Sequence, residues 1–120
     1  MAEEKKKRRN VTLGRLRAMK RKGVPITWLT CYDYPMAQIM DAAGIDMMLV
    51  GDSGAMTVLG HPTTLPQTLD AQLMLTKAVL RGTKYAFVVG DMPYMTYEMS
   101  HEKAIENAGK FIAMGCDAIK

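Results

Sequence analysis

Three short apolar runs, ITWLTCYD (26–33), DMMLVGDS (46–53) and YAFVVGD (85–91), constrain this chain more than any other feature. None alternates apolar with polar residues. Each therefore reads as a strand covered on both faces, as parallel sheets require. Helical segments separate them. In PMAQIMDAAG (35–44), Met36, Ile39 and Met40 share one face and Gly44 stands at the C-cap. Thr64 and Gln67 fit a capping box, with Pro66 in the first turn, for a helix from Leu65 to about Leu80. Ser100 caps a third helix that meets Gly115, and CDAIK (116–120) opens a fourth strand. A shorter amphipathic helix over 11–22 precedes them all, with Thr12 as its cap and Gly23 at its end. This order predicts an α/β fold with a parallel sheet and right-handed crossovers. It fits a doubly wound sheet and a barrel equally.

Length narrows the choice. A closed (β/α)8 barrel needs roughly 200 residues or more, and this chain has 120. The expectation is part of a larger fold, or a smaller α/β domain. Nucleotide folds find little support: no GxGxxG follows the first strand, and Gly51-Asp52-Ser53-Gly54 lacks the lysine of a P-loop.

The net charge of +4 is unevenly spread. Residues 1–22 hold ten basic and two acidic groups, whereas residues 23–120 hold six basic and ten acidic ones. No aromatic residue is interleaved with the basic run, so it offers no stacking platform for a nucleic acid strand. Residues 1–10 read as a flexible, solvated tail that can be deleted with little effect on folding. Residues 11–120 read as the folded unit. No apolar run is long enough to cross a membrane, and neither a nucleic acid nor a membrane is an expected partner. Cys31 and Cys116 make no disulfide framework, and both read as small buried hydrophobes of a reduced, cytoplasmic protein. Met47, Met48, Met92, Met95 and Met99 are expected to fill core gaps, and Trp28, Tyr32 and Tyr34 to form core and pocket wall.

Chemistry points to the strand ends. Val50-Gly51-Asp52 and Val89-Gly90-Asp91 close successive strands in the same way. Ligands of α/β folds bind at the carboxyl ends of strands, and neighbouring strands lie about 4.8 Å apart. Two carboxylates there can share a cation; alternatively, each merely caps its own loop. Magnesium takes oxygen ligands and leaves places for water and substrate, and a 2-oxo acid fills two such places as a chelate. Ser53 can donate to a substrate carboxylate or serve the turn. Lys120 points to the same rim if the register holds. His61 reads as a structural loop residue, and no Ser/His/Asp or Cys/His arrangement supplies a catalytic group.

The motifs TCYDYP, LVGDS, TVLGH, TLP and GDMPY, with ENAGKFIAMGCDAIK after them, resemble the N-terminal half of the ketopantoate hydroxymethyltransferase family in order and spacing. The resemblance implies a (β/α)8 TIM barrel, of which this chain covers roughly the first four strands. It implies transfer of a hydroxymethyl group from 5,10-methylenetetrahydrofolate to 3-methyl-2-oxobutanoate, a step of pantothenate synthesis, in a homo-oligomer that is commonly decameric. Asp52 and Asp91 match the family's magnesium ligands. Asp52, Ser53, Asp91 and Lys120 match its oxo-acid-binding residues. A third acidic residue, two positions after the lysine, and a glutamate base further on have no counterpart up to Lys120. The family's Asp-Ser-Leu-Gly is Asp52-Ser53-Gly54-Ala55 here. The chain is thus expected to be a fragment or one chain of a split enzyme. The alternatives are a non-catalytic assembly module or another carbon–carbon bond enzyme of the phosphoenolpyruvate mutase/isocitrate lyase superfamily.

Overall fold

The computed structural model describes residues 8–120. Its elements run α1 (Leu13–Arg21), β1 (Trp28–Thr30), α2 (Tyr34–Ala43), β2 (Met47–Val50), α3 (Gly54–Thr57), α4 (Leu69–Gly82), β3 (Phe87–Gly90), α5 (His101–Met114) and β4 (Ala118–Ile119). All strand pairs are parallel, and the sheet order is β1-β2-β3-β4. That order separates the two α/β alternatives. A doubly wound sheet reverses direction at a switch point, whereas this sheet adds each strand beside the previous one, as a barrel wall does.

One face of the sheet is covered by α2 and α4, and the other is covered at β3 by Val11 and α1 and stays more open at β1. Met48, Val50, Ala86 and Val88 pack with Ala37 of α2 and with Leu75 and Val79 of α4. Phe87 and Val89 turn the other way and meet Val11 and Leu16 at α1. Trp28, expected in the core and pocket wall, is half exposed, as are Tyr34 and Leu29, and it lines a cavity with Thr30 and Leu49. For Trp28 and Leu29 the reason is position: β1 is the edge of this sheet. The methionines divide. Met48 and Met92 are buried, whereas Met95 and Met99 lie exposed in the loop after β3 and fill no core gap.

Caps explain most helix ends. Thr12, Asp33, Thr68 and Ser100 each accept a backbone N–H with the side chain, and Gly44 and Gly115 end α2 and α5 in the left-handed conformation. The expected capping box at Thr64 and Gln67 does not form. Gln67 is buried and donates to Gln72 Oε1 at 2.9 Å, so it cannot reach back to a helix end. The helix starts instead at Leu69, where Thr68 Oγ1 accepts the Ala71 N–H.

Asp41 ties α2 to the start of β3. Its carboxylate, 5% exposed, accepts the backbone N–H groups of Lys84, Tyr85 and Ala86 at 3.0, 3.1 and 2.9 Å. Removing it orphans three donors, and a hydrogen bond to a charged group contributes about 1.5–3 kcal/mol. Asp41→Ala is expected to lower the unfolding free energy in urea by about 3 kcal/mol or more. Arg8, inside the segment expected to be a free tail, is held against the same region. Its guanidinium donates to the Asp41 and Ile45 carbonyls and stacks over the Tyr85 ring at 5.0 Å. The rest of that tail, residues 1–7, lies outside the described residues. Among the described residues, no helix is long and apolar enough to cross a membrane.

Candidate functional site

Register places the acids. Val50 pairs with Gly90, and Gly90 with Ile119. The backbone continues this pattern one step further: Asp91 N–H donates to Val50 O, and Lys120 N–H to Gly90 O. Asp91 and Lys120 are therefore neighbours in the same row, and side chains in one row share a face. Their side chains meet, Lys120 Nζ lying 3.0 Å from Asp91 Oδ1. The other carboxylate oxygen of Asp91 accepts the backbone N–H of Asp52 at 2.9 Å. Asp91 is 4% exposed, so both its oxygens are satisfied within the protein.

The two Gly-Asp endings look alike but serve different contacts. A Cβ on Gly90 would stand 2.4 Å from the Phe111 ring, so this glycine lets α5 lie against the strand. A Cβ on Gly51 would stand 2.8 Å from Ser53 Oγ, so this one makes room for the serine hydroxyl.

The electrostatics are unbalanced. Burial, the negative charge of Asp91 and a hydrogen bond with the Asp91 carboxyl group push the Asp52 carboxyl up from the ordinary carboxylate value. The charge of Lys120 and the Ser53 N–H pull it back only in part. Lys120 is itself pushed up, first by its hydrogen bond to Asp91 and then by the charges of Asp91, Asp52 and Tyr97, against desolvation. Two carboxylates thus share one ammonium. Among the described residues, no group of three or more His, Cys, Asp or Glu side chains could hold a metal ion.

Lys120 also stands between two apolar cavities. One of about 350 Å³ is lined by Met92, Tyr97, Ile105 and Ile119; the other, of about 290 Å³, is lined by Trp28, Thr30 and Leu49. The Ser53 hydroxyl lies 2.7 Å from the phenolic oxygen of Tyr32. Sequence reading had no signal for that contact, because nothing local in TCYDYP specifies a partner in another strand's turn. His61 is exposed, and its backbone N–H closes the loop on the Ala55 carbonyl. Cys31 and Cys116 are buried and free, and burial raises both thiols, Cys116 to about 11.

Residues 10–120 match the family described as ketopantoate hydroxymethyltransferase. The chain belongs to the ketopantoate hydroxymethyltransferase family. Relatives named 3-methyl-2-oxobutanoate hydroxymethyltransferase include one from Syntrophus aciditrophicus, 49% identical over 115 residues, which make up 95% of this chain and 42% of the relative. Another, from Thermosynechococcus vestitus, is 50% identical over 88% of this chain and 40% of its own length. A form from Arabidopsis thaliana, named mitochondrial, is 51% identical over 92% of this chain and 32% of its own length. The chain therefore spans about two-fifths of the bacterial relatives it matches. Two solved structures share the fold. The phosphoenolpyruvate phosphomutase of Streptomyces platensis subsp. rosaceus has a TM-score of 0.69 at 14% identity, over 90% of this chain and 37% of its own. A phosphonopyruvate hydrolase, solved in complex with oxalate and Mg2+, has a TM-score of 0.70 at 17% identity, over 87% and 36%. The four strands are thus a partial (β/α)8 barrel of the ketopantoate hydroxymethyltransferase kind.

Gly54, where the resemblance implies a leucine, has a local explanation. Gly54 opens α3, and a Cβ there would lie 2.8 Å from Leu75 Cδ1 and 3.3 Å from the Tyr32 ring. Leu75 and Tyr32 occupy the space a side chain would need. Gly54→Leu is expected to destabilise by about 1–3 kcal/mol through overpacking. Leu75→Ala in the same chain should recover part of that loss in a thermal melt.

Proposed function

We propose that this chain forms the metal- and oxo-acid-binding wall of a 3-methyl-2-oxobutanoate hydroxymethyltransferase. The enzyme would transfer a hydroxymethyl group from 5,10-methylenetetrahydrofolate to 3-methyl-2-oxobutanoate, giving 2-dehydropantoate. The observation that carries this reading is the meeting of Asp52, Asp91 and Lys120 at the strand ends, in a chain close to half identical to proteins of that name.

The donor set fits magnesium. Asp52 and Asp91 offer oxygen ligands only, which a hard cation prefers. The raised Asp52 carboxyl marks a place short of positive charge. The oxalate and Mg2+ complex of the phosphonopyruvate hydrolase supports a chelating acid as the companion of such a cation. Asp52 and Asp91 would hold the ion, which when bound supplies Lewis-acid polarisation of the keto oxygen. Lys120 offsets negative charge beside the acids, and Ser53 donates a hydrogen bond to the substrate carboxylate. The base and much of the folate site belong to other parts of the enzyme. We assign the enzyme to a homo-oligomer, decameric by family resemblance, in the reducing cytoplasm; the free, buried cysteines support that compartment.

Calorimetry on the assembled enzyme tests the reading. Mg2+ and 3-methyl-2-oxobutanoate should bind far more tightly together than either does alone. Joint affinity should fall as pH drops through the raised Asp52 value, because the cation binds the ionised carboxylate. Equal oxo-acid affinity with and without a chelator would exclude the metal role.

A further inference from the structure

We infer that Tyr32 is a positioning residue that fixes the Ser53 hydroxyl as a donor toward an anionic ligand. This rests on the role proposed above for Ser53. Tyr32 follows β1 and Ser53 follows β2, yet their oxygens are 2.7 Å apart. Both partners sit in spaces that only glycine leaves open. The Ser53 hydroxyl lies over Gly51, where a Cβ would come within 2.8 Å of it, and the Tyr32 ring lies 3.3 Å from the place of a Cβ on Gly54. The pair is thus held by sterics on both sides.

Its chemistry follows from proton counting. A serine hydroxyl has one proton and two lone pairs, and a tyrosine can donate its own proton. When the Tyr32 phenol donates to Ser53 Oγ, one serine lone pair is occupied and the serine proton is left to point elsewhere. An incoming carboxylate then meets a donor rather than a lone pair. Donation by Tyr32 also polarises the serine O–H, since linked hydrogen bonds strengthen one another. Without the phenol, the hydroxyl is free to rotate, and ordering it costs part of the binding energy.

The test is a double-mutant cycle read by calorimetry, with Mg2+ and 3-methyl-2-oxobutanoate as probes of the assembled enzyme. Tyr32→Phe keeps the ring in the Gly54 notch and removes only the phenol oxygen. It should weaken oxo-acid binding about threefold to tenfold, the loss of one hydrogen bond. In a Ser53→Ala background, Tyr32→Phe should cost almost nothing more. The neutral methyl ester of the oxo acid should bind wild type and Tyr32→Phe alike. Thermal midpoints of all variants report any general loosening. Equal losses from Tyr32→Phe with and without Ser53 would overturn the inference, as would equal weakening of acid and ester. Failure of the wild-type enzyme to bind the oxo acid at all would instead remove the functional reading, and this inference with it.

Discussion

Asp91→Asn and Asp52→Asn should both abolish joint binding of Mg2+ and the oxo acid, yet move stability in opposite directions. Each removes one of two carboxylates offered to the cation. Loss of an outer-shell partner already costs roughly 10–100-fold in metal affinity, so loss of a direct ligand should cost on the order of 100-fold or more. Stability follows the hydrogen bonds. Asp91 is buried, with Lys120 on one oxygen and the Asp52 N–H on the other. Its amide would leave one of these donors facing an NH2 group, for a loss of about 1–3 kcal/mol. Asp52 is the opposite case. Its folded-state value is raised, so its favourable contribution exists only below the ordinary carboxylate value and disappears as pH rises through the folded value. At neutral pH the ionised Asp52 weakens the fold, and Asp52→Asn should match or exceed wild type in a urea melt. That advantage should vanish at pH below the ordinary carboxylate range. A stability loss in Asp52→Asn at neutral pH equal to that of Asp91→Asn would sink this assignment of strain to Asp52.

A polypeptide confined to residues 1–120 should leave 3-methyl-2-oxobutanoate unconverted in an assay with methylenetetrahydrofolate. Among the described residues, no third acidic ligand joins Asp52 and Asp91. The third acid and the glutamate base that the family resemblance implies have no counterpart up to Lys120, and a missing base alone costs about 10²–10⁴ in rate. The four strands also leave β1 and β4 as open edges, which invite association. Supplying the C-terminal part of a relative in trans should restore measurable turnover. Turnover by the short polypeptide alone would require a base among its own residues, and His61 would be the first to replace.

The elements that sequence reveals best here are those fixed by local chemistry. Thr12, Ser100, Gly44 and Gly115 are caps, and their role follows from a few adjacent residues. The Asp91–Lys120 pairing was legible for a different reason: strand ends in a parallel sheet come to one rim, and only the register had to be right. The start of α4 was misread because Gln67, a residue that suits a capping box, is claimed by Gln72 and buried. The short helix α3 went unseen in a Gly/Pro/Thr-rich stretch, because Gly54 serves close packing rather than a turn. The role of Asp41 and the contact of Tyr32 with Ser53 carry no local signal, because the partners lie 43–45 and 21 residues away. Trp28 lines a cavity rather than the core, because burial of a strand depends on neighbours that its own sequence does not name.

The strictly sequential strand order bears on how the chain is made. Met47 pairs with Trp28, Phe87 with Met47, and Ala118 with Val89, each strand joining the one synthesised just before it. A nascent chain emerging at about 5–20 residues per second can therefore dock every new strand on a template already in place. Among the described strands, each pairing closes over one strand–helix step at a time. One growing edge is always the most recent strand, so that pairing surface moves along the chain with synthesis while the outer edge of β1 stays in place.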